Sequence, residues 1–194
     1  MAEDDIPEDD PEIDDPQIAQ ILDFWFSDEA RIHWFNRFDA FDRQVGDILL
    51  PHYQAAVSGE LDDWAYDTLG CLALIILLDQ VPRNIFRDAA QAFATDEVAR
   101  DIARYANRRG FDREVTDEQR LFFYLPLEHS EAIEDQTLCC ALMRQMDNAE
   151  WIRYAERHRE IIARFGRFPH RNAILGRPST PEEIAFLQTP GSSF

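Results

Sequence analysis

The spacing of apolar residues constrains this chain more than any other feature. After Pro16 they recur at intervals of three and four positions, as in the first segment with Ile18, Ile21, Leu22 and Trp25. This spacing places side chains on one face of an α-helix, whereas a half-buried strand alternates at every second position. No segment of the sequence prefers a strand. The pattern therefore predicts an all-α domain of about seven to nine helices over residues 16–194.

Capping residues mark several of the predicted helix ends. Thr116 and Gln119 have the spacing of a capping box, in which each side chain bonds to the backbone N–H of the other residue. Thr180 and Glu183 repeat this spacing. Gly110 can adopt the left-handed conformation that ends many helices. Thr95 or Asp96 can cap the helix that Gly110 ends. Together these residues predict helices that begin near residues 96, 117 and 181, and the first of these helices ends near residue 109.

The most apolar stretch of the chain is LGCLALIILL at residues 69–78. It is about half as long as the roughly 20 residues that a helix needs to span a bilayer. A helix over residues 64–79 is therefore predicted to be a central core helix and not a membrane anchor. Pro82 lies in the following segment, residues 81–84, and predicts the end of this helix. Pro51 predicts a kink or a split in the second helix.

The charge balance excludes several classes of protein. The chain has 38 acidic and 19 basic residues, a net charge of −19 and a pI near 4.5. Because this charge repels polyanions and anionic lipid, we predict neither a nucleic-acid nor a membrane partner. Every basic residue is arginine. Without lysine, a Schiff-base mechanism, a pyridoxal-phosphate site or a Walker A loop cannot form, and we predict no cofactor.

Residues 1–15 contain nine acidic residues and offer almost nothing to bury. We predict a solvated, disordered acidic tail in front of a single all-helical domain over residues 16–194. The tail lacks the basic and apolar pattern of a signal peptide. The three cysteines, of which Cys139 and Cys140 are adjacent, cannot form a disulfide framework. These features favour the reducing environment of the cytoplasm.

One basic segment interrupts the acidic composition. Residues 151–178 contain seven arginines and two glutamates, a net charge of +5, and include the bent path RFGRFPHRNAILGR. Arginines on such a path can converge on one carboxylate or phosphate and bind it as guanidinium forks. Alternatively, they neutralise carboxylates of the bundle and fasten the segment to it. The candidate ligand-binding residues are Arg83, Arg164, Arg167, His170, Arg171 and Asn172.

A second candidate site lies at residues 125–131, LPLEHSE. A histidine flanked by carboxylates can act as a general base, so Glu128 and His129 are the candidate catalytic residues. Such a histidine can equally be a buried, hydrogen-bonded core residue. The five histidines are far apart and no metal-binding motif is present, so we predict no metal site. Asp79 ends the apolar helix and, if buried, needs a partner such as Arg83.

We expect these groups to meet in one polar cluster. A local charge of +5 is attracted to carboxylates, while Gly166 and Pro169 shape a turn that lets neighbouring side chains face the same way. The members of this predicted cluster are Arg164, Arg167, His170, Arg171, Glu128 and His129, with Asp79 as an optional member.

Four phrases of the sequence together carry a family resemblance. They are ILDFWF at 21–26, LALIILLDQVPRNIFR at 72–87, YLPLEHSE at 124–131 and RFGRFPHRNAILGR at 164–177. Over residues 17–194 the chain resembles the bacterial domain-of-unknown-function family 924. The family pattern carries phenylalanine where this chain has Val81. The resemblance implies an all-helical, tetratricopeptide-like fold, and it implies no particular reaction or ligand.

Two functions remain open from the sequence. The first is a binding or interaction module for a small anionic ligand or peptide, with the late arginine segment as its anchor. The second is a small-molecule hydrolase or acid–base enzyme that uses Glu128 and His129 with an arginine anion site. A solvent-open pocket that joins both groups would favour the enzyme, whereas a buried and fully paired network would exclude both functions. The sequence also leaves homo-oligomerisation open.

Overall fold

The computed structural model describes residues 15–192, and within this range the protein is all-α without strands. Its α-helices are α1 (Pro16–Trp25), α2 (Asp28–Arg31), α3 (Asp39–Ser58), α4 (Thr68–Ile75), α5 (Val81–Ile85), α6 (Asp96–Arg109), α7 (Asp117–Glu128), α8 (Ile133–Met143), α9 (Ala149–Phe165) and α10 (Pro181–Leu187). Since a π-helical segment joins α4 to α5, the described residues form nine separate helices. The predicted all-α class and helix number are confirmed. The tetratricopeptide-like arrangement stays a prediction.

The predicted capping residues determine three of the helix ends. Thr116 begins α7 with both hydrogen bonds of a capping box to Gln119, and Thr180 begins α10 in the same way with Glu183. Gly110 ends α6 in the left-handed region, with a φ of 82°. All three predicted ends are confirmed. In contrast, α3 continues through Pro51 as a single helix of 20 residues and is not split.

The apolar run forms the centre of the core. α4, the π segment Ile76–Gln80 and α5 form one continuous helix, and every residue of α4 and of the π segment is buried. This helix packs against α1, α3, α6 and α7. Among residues 15–192 it alone is long and apolar enough to cross a membrane, yet 89% of its apolar window is buried inside the protein. The prediction of a core helix is confirmed.

The predicted helix end at residues 81–84 is wrong. The Val81 N–H donates to the Ile76 carbonyl five residues back, so the helix widens into a π turn and continues into α5. Pro82 has no N–H to offer the Leu78 carbonyl. The Thr95 hydroxyl donates to that carbonyl instead, at 2.5 Å. A hydroxyl from another segment thus replaces the hydrogen-bond donor that the proline lacks.

Asp15, the last residue of the predicted tail, belongs to the folded part of the chain. Its carboxylate caps α1 by accepting from the Gln17 backbone N–H at 2.8 Å. The same carboxylate accepts from the indole Nε1 of Trp64 at 3.2 Å. The rest of the predicted tail, residues 1–14, lies outside the described residues.

A second, smaller core fixes the C-terminal part of the protein. It is formed by Ile161 and Ile162 of α9, Phe168 of the following loop and Phe186 of α10. The loop between α9 and α10 contains a 3-10 turn, Pro169–Arg171, with the basic residues of the late segment. Burial of Phe168 therefore holds this basic turn against the bundle.

Thr95→Val should lower the free energy of unfolding by roughly 1–3 kcal/mol, because the buried carbonyl of Leu78 loses its hydroxyl donor. Thr137→Val is the matched control, since the Thr137 hydroxyl donates to the Ile133 carbonyl at an exposed position of α8. Urea denaturation of both variants measures the difference. Equal losses at the two positions would contradict this role of Thr95.

Candidate functional site

Segments that are distant in the sequence bring five charged or titratable side chains together. Asp79 and Arg83 lie one turn apart at the end of the central helix, and Asp96 begins α6. His129 directly follows α7 as its C-cap, and Arg171 lies in the 3-10 turn after α9. We call these five residues the polar cluster. It unites residues from both candidate sites of the sequence, and their contacts define its chemistry.

Asp79 is the fully buried anion of the polar cluster. His129 Nδ1 lies 2.9 Å from each of its carboxylate oxygens, and Gln80 Nε2 donates to it at 2.6 Å. Arg83 Nη1 lies 3.2 Å from Oδ1. Burial alone would raise the pKa of Asp79, but the Arg83 guanidinium and the His129 ring outweigh burial and lower the pKa below its ordinary value. Asp79 is therefore an ionised carboxylate at neutral pH.

The Asp79 carboxylate fixes the tautomer of His129. An ionised carboxylate can only accept hydrogen bonds, so Nδ1 of His129 must carry the proton between them. Burial and the Arg83 guanidinium lower the pKa of His129, which keeps the ring neutral at pH 7. The second ring nitrogen, Nε2, then keeps its lone pair. This is the orientation that a histidine needs to accept a proton as a general base.

Asp96 is shared between two arginines. Arg83 binds it through two parallel hydrogen bonds, from Nη1 at 2.8 Å and from Nη2 at 3.0 Å. Arg171 Nη1 lies 3.5 Å from Oδ2 of the same carboxylate. Bidentate pairs of this kind are among the strongest ionic contacts in proteins. Arg83 is therefore the better partner of Asp96, and Arg171 makes the weaker contact.

Arg171 is a buried guanidinium with an incomplete set of partners. It lies between the rings of Phe93 and Phe168, 4.7 and 4.6 Å from their centroids, and its side chain is 8% exposed. Among residues 15–192, its Nε has no hydrogen-bond partner. Burial and the nearby Arg83 charge lower the pKa of Arg171 to about 10. A buried cation normally has full hydrogen bonding. The Nε atoms of Arg100 and Arg159 also lack partners among the described residues, but of these three arginines only Arg171 is a buried residue.

Glu128, the other candidate catalytic residue, is a neutral acid at pH 7. It is the last residue of α7, and burial together with the Asp79 charge raises its pKa to about 8. Its Oε1 lies 3.4 Å from His158 Nδ1, which also lies 2.8 Å from the Tyr154 carbonyl. Burial lowers the pKa of His158 to about 3. Glu128 and His158 therefore meet as two uncharged groups inside the core.

Arg164 and Arg167 do not join the polar cluster, contrary to the sequence prediction. Arg164 Nη2 donates to Glu182 at 2.8 Å, and Arg167 Nε donates to Glu183 at 2.7 Å. Both carboxylates lie in the first turn of α10. These two arginines fasten α10 to the end of α9, which is the alternative role that the sequence allowed.

The two neighbours of Arg171 in the chain have different environments. Asn172 is buried, donates to the Ser179 hydroxyl at 3.0 Å and accepts from Arg177 Nε at 3.0 Å, so it stabilises the loop that carries Arg171. His170 is half-buried. Burial and the Arg171 charge lower the pKa of His170 to about 4, so its ring is neutral at pH 7.

Glu131 holds the Arg171 loop against the turn between α7 and α8. Its carboxylate accepts from the backbone N–H of Phe168 at 2.8 Å and from Arg177 Nη1 at 2.6 Å. The Arg177 contact favours the ionised form and helps to lower the pKa of Glu131, against the effect of its partial burial. Glu131 therefore sets the distance between the loop and His129, which is two residues earlier.

Asp96 and Phe93 were not predicted from the sequence as neighbours of Arg171. An acidic residue in the first turn of a helix is already explained by the helix dipole, so the sequence carried no further signal for Asp96. Phe93 belongs to a short 3-10 turn, Ala90–Phe93, without a recognisable motif. Both residues contact Arg171 only because the folded chain brings the loop after α9 against the segment that leads into α6.

The edge of the polar cluster reaches the surface. The side chains of His129, Arg83 and Asp96 are 17%, 18% and 22% exposed, whereas Asp79 is fully buried. Two surface cavities, one beside the 3-10 turn Asp62–Tyr66 and one between α3 and α5, do not include these residues. In the described part of the chain, no group of three or more His, Cys, Asp and Glu residues is arranged to hold a metal ion.

Comparison with known proteins places the chain in a family. A family model described as a bacterial protein of unknown function (DUF924) matches residues 21–191, which include the whole polar cluster. The chain belongs to this family. The resemblance inferred from the four sequence phrases is confirmed.

The fold is also shared with a solved structure. The protein of unknown function ATU0120 from Agrobacterium tumefaciens has 44% sequence identity to this chain and a TM-score of 0.85. The match covers 89% of this chain and 97% of that one, so the two proteins are similar over nearly their full lengths. A comparison with curated proteins found no match.

Glu128→Gln should change how stability depends on pH. The folded carboxyl has a pKa of about 8 and its ordinary value is 4.5, so between these pH values the folded state binds more protons than the unfolded state. The contribution of Glu128 to the free energy of unfolding therefore falls as pH rises, by about 1.4 kcal/mol per pH unit within this interval. Glutamine cannot ionise, and the variant should lack this loss.

Urea denaturation at a series of pH values from 5 to about 8 measures the difference between wild type and Glu128→Gln. Glu134→Gln, which removes a carboxyl from an exposed position of α8, is the control for the change in net charge. A constant difference between Glu128→Gln and wild type at all these pH values would show that Glu128 is not a buried neutral acid.

Proposed function

We propose that the polar cluster binds a small anion that carries a carboxylate or phosphate group. The observation that carries this proposal is the environment of Arg171. Among residues 15–192, this buried cation has no hydrogen-bond partner for Nε and one carboxylate contact, at 3.5 Å. Guanidinium groups bind carboxylates and phosphates through two parallel hydrogen bonds. An anion at the guanidinium edge of Arg171 would provide the acceptors that the protein does not.

The distribution of charge supports an anion at this position. Arg83 and Arg171 are balanced in number by Asp79 and Asp96, while His129 and Glu128 are neutral at pH 7. Arg83 contacts both carboxylates, however, and Arg171 contacts one of them weakly. The positive charge of Arg171 is therefore the least compensated charge of the cluster. A ligand anion would neutralise it at the point where His129 and Arg83 are partly exposed to solvent.

Arg171→Met separates this proposal from a structural role. Methionine keeps much of the packing volume between Phe93 and Phe168 but removes a poorly paired buried charge, so without ligand the stability should hold or rise. In the wild type, inorganic phosphate or acetate at 100 times its dissociation constant should stabilise the fold by about 2.7 kcal/mol. This corresponds to a rise in Tm of roughly 5–10 °C. The variant should lose this rise.

Arg153→Met is the matched control, because it removes an arginine of the same basic segment whose side chain is 71% exposed. It should keep the response to phosphate or acetate. Scanning fluorimetry with each anion, at constant ionic strength, measures all three proteins. If neither anion stabilises the wild type and Arg171→Met loses several kcal/mol of stability, Arg171 only fastens the loop to the bundle.

The pair of Asp79 and His129 supports a second candidate, a hydrolase or another acid–base enzyme. Asp79 holds the Nδ1 proton of His129 and leaves Nε2 to accept one. In this candidate, Nε2 removes a proton from a water molecule while Arg83 and Arg171 hold the anionic group of the substrate. Glu128, neutral at pH 7, lies next to His129 in the chain and remains the candidate acid.

For this second candidate, p-nitrophenyl phosphate and p-nitrophenyl acetate are suitable chromogenic substrates. His129→Gln should lower kcat by about 100-fold or more, because general-base catalysis contributes 10²–10⁴-fold in typical enzymes. His52→Gln, on α3 and away from the polar cluster, should leave the rate unchanged. Hydrolysis that survives His129→Gln, or none in the wild type, would count against the enzyme and leave the binding function.

A further inference from the structure

An apolar groove with an acidic rim lies between the 3-10 turn Asp62–Tyr66 and the first part of α6. It is open to solvent and has a volume of about 490 Å³. Its apolar surface comes from Tyr66, Val98 and Ile102, and its acidic rim comes from Asp62, Glu97 and Asp101. None of these six residues belongs to the polar cluster. The groove is therefore a separate feature of the protein.

Two apolar residues of the groove are largely exposed, Tyr66 at 71% and Val98 at 52%. Ile102 and Tyr105, which follow Val98 along the same stripe of α6, are partly buried against the core, and the neighbouring stripe of Ala99, Ala103 and Ala106 is fully buried. The uncovered apolar surface of the groove is therefore concentrated at Tyr66 and Val98. Adjacent exposed apolar side chains with a polar rim are typical of surfaces that bind another molecule.

The rim of the groove is negatively charged. The carboxylates of Glu97 and Asp101 are 82% and 64% exposed. Arg100 lies 3.6 Å from Glu97 and 3.7 Å from Asp101, which is longer than the 2.7–2.9 Å of strong ionic hydrogen bonds. Its guanidinium also faces Asp135 on α8, at 3.8 Å. One shared arginine leaves an excess of negative charge on the rim.

We propose that this groove docks an amphipathic basic helix of a partner protein. The stripe from Val98 to Tyr105 extends over about 10 Å of α6, or two helical turns, which matches apolar anchors at positions i, i+3 or i+4, and i+7 of a bound helix. Arginine or lysine residues beside these anchors would pair with the acidic rim. Another cationic side chain can lie over the exposed ring of Tyr66.

The whole chain favours a basic partner over a second copy of itself. Its net charge of −19 attracts a cationic segment at long range and repels another molecule of the same charge. Arg109, whose guanidinium lies 5.7 Å from the ring centroid of Tyr105, adds one positive charge beside the groove, against the three carboxylates of Asp62, Glu97 and Asp101.

The test uses a fluorescein-labelled peptide of about 15 residues, made of leucine and arginine with leucine at helical spacing. Fluorescence anisotropy should show saturable binding to the full-length protein. A peptide of the same composition with its order scrambled should bind at least about tenfold more weakly, because it cannot present one apolar face. A glutamate version of the helical peptide should not bind.

The groove variant is Glu97→Gln with Asp101→Asn, and a second variant, Val98→Ser, removes apolar surface without changing the charge. Each should weaken binding of the helical peptide about tenfold. Asp23→Asn with Glu134→Gln is the matched control, since it makes the same change in net charge at exposed positions of α1 and α8. It should weaken binding less than about twofold.

The binding measurements distinguish a docked basic helix from nonspecific attraction and from self-association. Equal loss in the groove and control variants, or equal binding of the scrambled peptide, would show nonspecific attraction to an acidic protein and overturn the proposal. Absence of saturable binding up to about 1 mM peptide would overturn it as well. Sedimentation velocity tests for a second copy as occupant: self-association that Val98→Ser abolishes would assign the groove to contact between identical chains and not to a basic partner.

Discussion

The buried carboxylate of Asp79 is the constraint on which the rest of the polar interior depends. A carboxylate with no exposed surface must be paired, and its partners come from its own helix and from the end of α7, 50 residues away. Its position depends in turn on the π turn in the central helix, which Pro82 and the Thr95 hydroxyl make possible. One anion thus connects the central helix to the turn between α7 and α8.

The turn between α7 and α8 also contacts other parts of the fold. Three consecutive residues, His129, Ser130 and Glu131, contact three different parts of the protein. His129 binds the central helix, the Ser130 hydroxyl donates to the buried Asp135 of α8, and Glu131 holds the loop that carries Arg171. The distance between His129 and Arg171 is therefore set by contacts on both sides. Such support is what a binding or catalytic site needs to keep its geometry.

Arginines of the same basic segment serve different purposes according to their surroundings. Arg164 and Arg167 form ion pairs with carboxylates of α10 and hold that helix against the end of α9. Arg171 is enclosed by two phenylalanine rings and shares its carboxylate with Arg83. The ion pairs of Arg164 and Arg167 have short hydrogen bonds and are at least partly exposed to solvent. The guanidinium of Arg171 is buried and its hydrogen bonding is incomplete. This contrast within one segment favours Arg171 as the residue that meets a ligand.

The sequence by itself determined the helical class, the beginnings of α7 and α10, the end of α6 and the burial of the apolar helix, because periodicity and capping act over a few residues. It also indicated both segments of the site. Only the tertiary structure decided that Asp96 joins Arg171, that Arg164 and Arg167 do not, and that the central helix passes Pro82. These outcomes depend on which helices pack side by side. The sequence around Pro82 does not show that a distant group, the Thr95 hydroxyl, donates to the Leu78 carbonyl.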